Sequence, residues 1–234
     1  MGPSHKMNLS VAARVLGRFP LQADEALTRY LNLIGTALAA HSSHSDLNFH
    51  FALLDSDTVN AYSAPGGYIF ITRGALLQAQ DKSELAGIMA HEIVHISERH
   101  IVKALSIRAS DSGSSVGLGR LLSGSSDTAR VAFGQAVDQA VVILFERGYN
   151  QQDELEADQV TTLLLAQSGY DPLALHRYLE RAQALEQSSA SLNTTHPPSR
   201  QRLRTLDRVI EEEHLQELKL VRNSTRFKRY VIQP

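Results

Sequence analysis

Between Leu85 and Ile96 the chain reads LAGIMAHEIVHI. Ile88, Met89, Ile93, Val94 and Ile96 surround this helical stretch with apolar side chains. A helix that is hydrophobic all round is buried, so any fold of this chain must enclose it. The same stretch carries His91, Glu92 and His95 in the pattern HExxH. Two histidines four apart lie one above the other on a helix face, about 5–6 Å apart at Cβ. Their imidazoles can bind one Zn²⁺ at about 2.0–2.1 Å, leaving the adjacent Glu free to act as a general base. The plainer alternative is two helix histidines beside a surface glutamate. It fits poorly, because a buried glutamate is rarely left unpaired.

The rest of the chain supplies material to enclose that helix. Its 234 residues are 43% apolar and 21% charged, a soluble globular composition large enough to bury roughly 70% of the unfolded surface. Leu27, Leu31, Ile34 and Leu38 recur at helical spacing. The period then changes: Asn48–Leu54, Val59–Tyr62 and Tyr68–Thr72 read as strands, the last two a hairpin turned at Pro65-Gly66-Gly67. From Gly74 onward the pattern is helix or loop. Helices are expected over Asp81–Ile107, Asp127–Phe145 and Gln151–Gln167, after Asp171-Pro172, and from Pro197-Pro198 to about Glu213. Ser110–Ser126 reads as a flexible loop, with a lid over a site as one role, and the tail after His214 is ambiguous. The expectation is one α+β domain over residues 1–234, mostly helical and zincin-like, with a small three-stranded antiparallel sheet beside the HExxH helix.

Composition also excludes. With 23 Lys+Arg against 25 Asp+Glu, the chain lacks the basic excess of a nucleic-acid binder. Cysteine is absent, which removes disulfides, thiol nucleophiles and Cys-ligated metals. The longest apolar run, Ala140–Phe145, is too short to span a bilayer. The opening MGPSH reads as a cloning remnant, and Lys6–Arg14 has no apolar signal-peptide core.

A zinc site needs a third protein ligand. The residues after His95 are ISERH, so the extended motif with a third His and a Gly is absent. No Glu occurs between Glu98 and Glu146, and the next acidic cluster is Asp153–Asp158. At 100° per residue, Glu154, Asp158, Thr161 and Leu165 share one helix face, while Glu156 points to the opposite side. Glu154 is therefore the expected third ligand, with Glu146 as runner-up. Asp158 is expected to accept the distal N–H of a ligating histidine. The alternative is a solvated acidic helix start favoured by the macrodipole.

These motifs together resemble peptidase family M48. The resemblance rests on HEIVH, ELEAD, Gly169-Tyr170-Asp171-Pro172, and Thr195-His196-Pro197-Pro198 with Arg202. It covers roughly Asp55 to Leu206. The family comprises zinc metallopeptidases related to the CAAX prenyl protease and the bacterial heat-shock membrane protease. Its soluble branch includes a periplasmic protease that tends outer-membrane β-barrel assembly. The resemblance implies one zinc per chain on His91, His95 and Glu154, with Glu92 as catalytic base. The segment Asn60-Ala61-Tyr62 through Gly66-Gly67 also resembles the family's strand before the zinc helix. If the strand around Asn60–Ser63 (Asn60, Ala61, Tyr62, Ser63) is the sheet edge beside the cleft, an extended substrate would pair with it by β-augmentation. The membrane-spanning hairpins of the prenyl protease and heat-shock branches, and the long C-terminal helical-repeat module of the β-barrel quality-control branch, are not among these residues.

His196 and Arg202 carry two readings. Arg202 falls on the apolar side of its helix beside Leu206 and Val209, opposite a basic stripe of Arg200, Arg204 and Arg208. It either pairs with a structural carboxylate such as Asp158 or Glu156, or joins His196 in stabilising an oxyanion at the metal. The matching family positions also suggest His196 as a movable extra zinc ligand. The expected activity is zinc-dependent endopeptidase action on unfolded or extended polypeptide, in quality control of misfolded or unassembled envelope proteins. The implied location is the bacterial periplasm or cell envelope, with membrane association of the full-length protein and oligomeric state open. The rival is a zinc-containing chaperone or binding module with little turnover, against which the intact Glu92 argues.

Overall fold

The computed structural model describes residues 3–111, 127–188, 195–196, 200–218, 220 and 224–231. In chain order the elements are α1 (Pro3–Arg18), α2 (Glu25–Ala39), β1 (His50–Leu54), β2 (Ala61–Ala64), β3 (Tyr68–Thr72), α3 (Arg73–Gln78), α4 (Lys82–Ser97) and α5 (His100–Asp111). There follow α6 (Asp127–Val142) with a π-helical turn at Ile143–Arg147, α7 (Gln151–Gln167), α8 (Ala174–Ser188) and α9 (Arg200–Glu212). A 3₁₀ turn at Leu215–Glu217 and α10 (Ser224–Val231) close the chain.

The HExxH helix is α4, and every residue from Ser83 to Ser97 is buried. Its start is set by Asp81, whose carboxylate accepts from Glu84 N at 2.9 Å, while Glu84 accepts from Gln80 N at 2.8 Å. Buried Glu84 is also gripped by Arg181 of α8, which ties that helix to the start of α4. The helix packs against α7, α8, α2 and β2. Leu85, Met89 and Ile93 are completely enclosed. This is the layering that an all-apolar helix demands.

The sheet is α+β in placement as expected, but it is mixed and not antiparallel. Its order is β1-β3-β2, with β2 antiparallel to β3 and β1 parallel to it. The hairpin turned at Gly66 and Gly67 is present, both glycines with positive φ. A Cβ on Gly67 would sit 2.2 Å from Asn48 O. After β1 the chain crosses to the far side of β3, so β1 and β2 never pair. Thr72 pins that crossing, its hydroxyl lying 2.6 Å from Thr58 O and 2.7 Å from Asn60 O.

Several expected boundaries shift. The helix read as Asp81–Ile107 breaks at Glu98-Arg99, where Arg99 takes φ 56 and α5 starts afresh at His100. The end of the next helix is π rather than α and stops at Gly148, φ 68. The α7 bounds fall as read, with Asn150 as N-cap and Gly169 at φ 76 closing the end. Tyr170 N bonds Leu165 O at 2.9 Å there, the Schellman pattern. Asp171 accepts from Leu173 N, but α8 begins only at Ala174, after Pro172. Residues 3–7 belong to α1, where Met7 is buried beside Val11 and Val15. The expected Ser110–Ser126 loop lies outside the described residues except Ser110 and Asp111, which end α5; Pro197-Pro198 also lies outside. In the tail, Phe227 is buried and Tyr230 stacks on Tyr30 at 4.6 Å.

Candidate active site

Four elements converge on one point. α4 brings His91, Glu92 and His95. α7 lies alongside and brings Glu154 and Asp158. His196 arrives from the segment before α9, and Arg202 from α9 itself. The helix phasing that groups Glu154, Asp158, Thr161 and Leu165 corresponds to the structure, where all four are buried.

One ligating atom from each of His91, His95, Glu154 and His196 falls in a group within 4.8 Å of one another. His91 Nε2 and His95 Nε2 are 3.0 Å apart. Glu154 Oε2 is 3.4 Å from His91 Nε2, and Glu154 Oε1 is 3.6 Å from His95 Nε2. For metal bonds of about 2.0–2.1 Å, the edge of a tetrahedron is about 3.3–3.4 Å. The three spacings bracket that edge, so the donor set fits a tetrahedral metal ion with two imidazoles and one carboxylate. Glu92 supports the fit: it is buried, and its Oε2 has no hydrogen-bond partner among the described residues. Such an atom is costly unless something in the cleft uses it.

His196 Nδ1 lies 2.7 Å from Glu154 Oε1, and its Nε2 lies 3.5 Å from Glu92 Oε1. Arg202 chelates Asp158 through Nε at 2.8 Å and Nη2 at 2.7 Å. Its Nη1 reaches Glu154 Oε2 at 3.2 Å and His196 O at 2.9 Å. Asp158 Oδ1 in turn lies 3.3 Å from His91 Nδ1. The two readings of Arg202 therefore merge. It is the counter-ion of a structural carboxylate, and it touches the cluster. Glu156 is not its partner but faces His100 and Lys103. Glu146 is exposed and stands apart from the cluster.

The charges follow from these contacts. Burial opposes a proton on His91, but the carboxylates of Asp158 and Glu154 that face its two nitrogens outweigh it and raise its pKa to about 9. Burial, then the neighbouring His91 charge, holds His95 well below the ordinary histidine value. Burial would raise Glu154, yet the charges of His196 and Arg202 and bonds from His196 and His91 keep it well below the carboxylate range. Burial opposes the charge on Asp158 as well, but Arg202 and His91 together lower its pKa.

A cavity opens beside the cluster, lined by His91, Glu92, His196 and Arg202 together with Asn60 and Ala61. Of the four strand residues expected near the site, these two line it. Tyr62 instead packs edge-on against Phe145 at 4.9 Å, and Ser63 is buried. Asn60 reaches Thr195 Oγ1 at 3.3 Å, tying β2 to the segment that carries His196. Gly148 also meets this segment, and a Cβ there would come within 2.0 Å of Thr195 O. Sequence reasoning missed two neighbours. Tyr149 stacks on the His95 ring at 4.2 Å, and His100 lies against its far edge. Tyr149 left no signal in the sequence. His100 left one: a third histidine within five residues of His95.

The family model described as Peptidase family M48 matches residues 25–210. A β-barrel assembly-enhancing protease from Escherichia coli is 30% identical over 211 residues, covering 87% of this chain and 43% of that protein. The protein of the same name from Yersinia pestis is 32% identical over 168 residues, covering 69% and 34%. The mitochondrial metalloendopeptidase OMA1 of Schizosaccharomyces pombe is 27% identical over 188 residues, covering 79% and 53%. The chain spans less than half the length of the bacterial relatives. Among the described residues, no helix is long and apolar enough to cross a membrane.

Proposed function

The chain belongs to peptidase family M48, and we propose that it is a zinc-dependent endopeptidase domain for unfolded or unassembled polypeptides of the bacterial envelope. The observation that carries the chemistry is the convergence of His91, His95 and Glu154 beside an unpaired carboxylate oxygen of Glu92. One zinc per chain, on His91 Nε2, His95 Nε2 and Glu154, would supply a Lewis acid that polarises a carbonyl and acidifies water toward neutral pH. Glu92 accepts the proton of the attacking water at its free Oε2 and delivers it to the leaving amine. Asp158, clamped by Arg202, holds the His91 ring by its distal nitrogen. His196 and Arg202 place a donor and a positive charge where the tetrahedral oxyanion develops. His196 also lies close enough to serve as a fourth ligand between turnovers.

Substrate binding follows from the sheet. Thr72 N bonds Asn60 O, and bonded pairs alternate along an antiparallel ladder, so Ala61 and Ser63 turn their backbone groups away from β3. Ala61 N donates to Asn60 Oδ1 at 2.9 Å in this structure, so an extended peptide laid on that edge toward the cluster would take this donor over from the Asn60 amide, reading backbone rather than sequence. The envelope assignment rests on the names of the bacterial relatives.

The test is metal analysis together with casein hydrolysis, for wild type and Glu92→Gln. The variant should keep its zinc and lose at least ~10²-fold in turnover. Wild-type turnover in Glu92→Gln would take Glu92 out of the mechanism. A zinc-loaded wild type without turnover would favour the binding-module reading.

A further inference from the structure

His91 and His95 are held by different means. His91 Nδ1 faces a carboxylate, Asp158, at 3.3 Å. His95 Nδ1 faces another imidazole: His100 Nδ1, 2.7 Å away. His100 is completely buried, and its Nε2 lies 3.3 Å from Glu156 Oε2. Its backbone position is unusual. On a continuous helix a residue five places on stands about 140° round from His95. Here α4 stops at Ser97, Arg99 takes the left-handed φ of 56, and the chain restarts at His100 turned back against the His95 ring. A left-handed arginine is unfavourable without local compensation, and this turn is what brings the two rings together.

We propose that His100 is a positioning residue that fixes the ring and tautomer of His95 through a Glu156–His100–His95 hydrogen-bond relay. The inference rests on the reading above that His95 binds zinc through Nε2. A neutral imidazole ligating through Nε2 carries its proton on Nδ1. At 2.7 Å, His100 Nδ1 must then be the acceptor, so the His100 proton sits on Nε2 and is donated to Glu156. The reverse polarity would put a proton on His95 Nε2 and close it to a metal. Each proton in the chain thus has one donor and one acceptor, all pointing outward from the metal. By spacing, His100, Asp153 and Glu156 could hold an ion of their own. But Lys103 Nζ already lies 3.5 Å from Glu156 Oε2, and in the relay His100 Nε2, the nitrogen that faces Glu156, carries the donated proton.

The experiment uses the whole chain. Zinc affinity is measured by chelator competition for wild type, His100→Asn and His100→Leu. The His100 tautomer is read from ¹⁵N-histidine NMR of the zinc-loaded wild type. Asn keeps an acceptor near the Nδ1 position, and Leu has none. His100→Leu should bind zinc about 10–100-fold more weakly, and His100→Asn should recover to within about threefold of wild type. The wild-type spectrum should show His100 protonated on Nε2. A proton on His100 Nδ1 overturns the relay whatever the variants do. So does wild-type affinity in a folded His100→Leu, or an Asn variant as weak as Leu. If His100→Leu does not fold, the tautomer and the Asn variant decide. Wild type that binds no zinc is a separate outcome, and it sinks the metal site itself.

Discussion

Replacing Arg202 by Met keeps most of the side-chain volume and removes one buried charge. In the native protein Arg202 is 3% exposed and Asp158 is fully buried. The guanidinium supplies two short bonds to that carboxylate. Without it, Asp158 keeps only His91 Nδ1 at 3.3 Å among the described residues. Breaking a buried pair from one side costs about 3–5 kcal/mol. The variant can escape by protonating Asp158. From an unfolded value near 3.9, holding a carboxyl neutral at pH 7 costs about 4 kcal/mol, and at pH 5 about 1.5 kcal/mol. Residual attraction to His91 lowers the pH 7 figure, so the expected loss is about 3 kcal/mol at pH 7, narrowing to about 1.5 kcal/mol at pH 5.

The sign follows from the depressed native pKa of Asp158, which burial pushes upward and the charge and hydrogen bonds of Arg202, together with His91, bring down. Its stabilisation of wild type is complete above the unfolded value and is lost only as pH falls through the lower folded one. Between pH 5 and 7 the wild-type contribution of Asp158 is therefore constant, and the narrowing belongs to the variant. Urea unfolding of metal-free protein at both pH values is the assay, read as a midpoint shift at unchanged slope. Metal-free protein is chosen because His91, with its pKa near 9, keeps one charge through this window. Adding Asp158→Asn to Arg202→Met should return at least half the loss, since the Asp158 charge is then gone and Glu154, which also loses Arg202, keeps His196 and His91. A loss under about 1 kcal/mol at pH 7, or one equally large at pH 5, would refute the charge argument and leave only packing.

Two further outcomes are expected from the same geometry. His196→Ala should retain zinc and lose about 10²–10³ in kcat with little change in KM; a rise in kcat would instead mark His196 as an occupant of the open metal position. Metal-free protein should lose stability as pH rises from about 6.5 toward 9, because charged His91, seated between Asp158 and Glu154, deprotonates there. Zinc must displace the same proton, so affinity should rise about tenfold per pH unit up to that value through this group. A flat chelator-competition profile from pH 7 to 8.5 would show that His91 is already neutral.

The chemistry was legible in one dimension because it is written in helical spacing. HExxH places His91 and His95 on one face within a single helix, and the apolar neighbours say that this face is enclosed. The same arithmetic separates buried Glu154 and Asp158 from half-buried Glu156 on α7, but it does not find Asp153, which lies off that face and is buried against the Asn150 cap. Pairing partners are another matter. Alternation tells which side of a strand is buried but not which strand lies beside it, so the parallel β1–β3 ladder could not be read from the strands. The break after α4 was invisible because the residue in the left-handed conformation is Arg99 rather than the glycine that usually signals one. His100 consequently looked like one more helix position, and only the folded chain turns it onto His95. Tyr149 and Arg202 reach the site from separate segments. A spacing rule describes neighbours within one element, whereas contacts between elements depend on packing angles that no local pattern encodes. Local periodicity thus determined which side chains share the buried faces and stand as candidate ligands, and tertiary packing decided what surrounds those candidates.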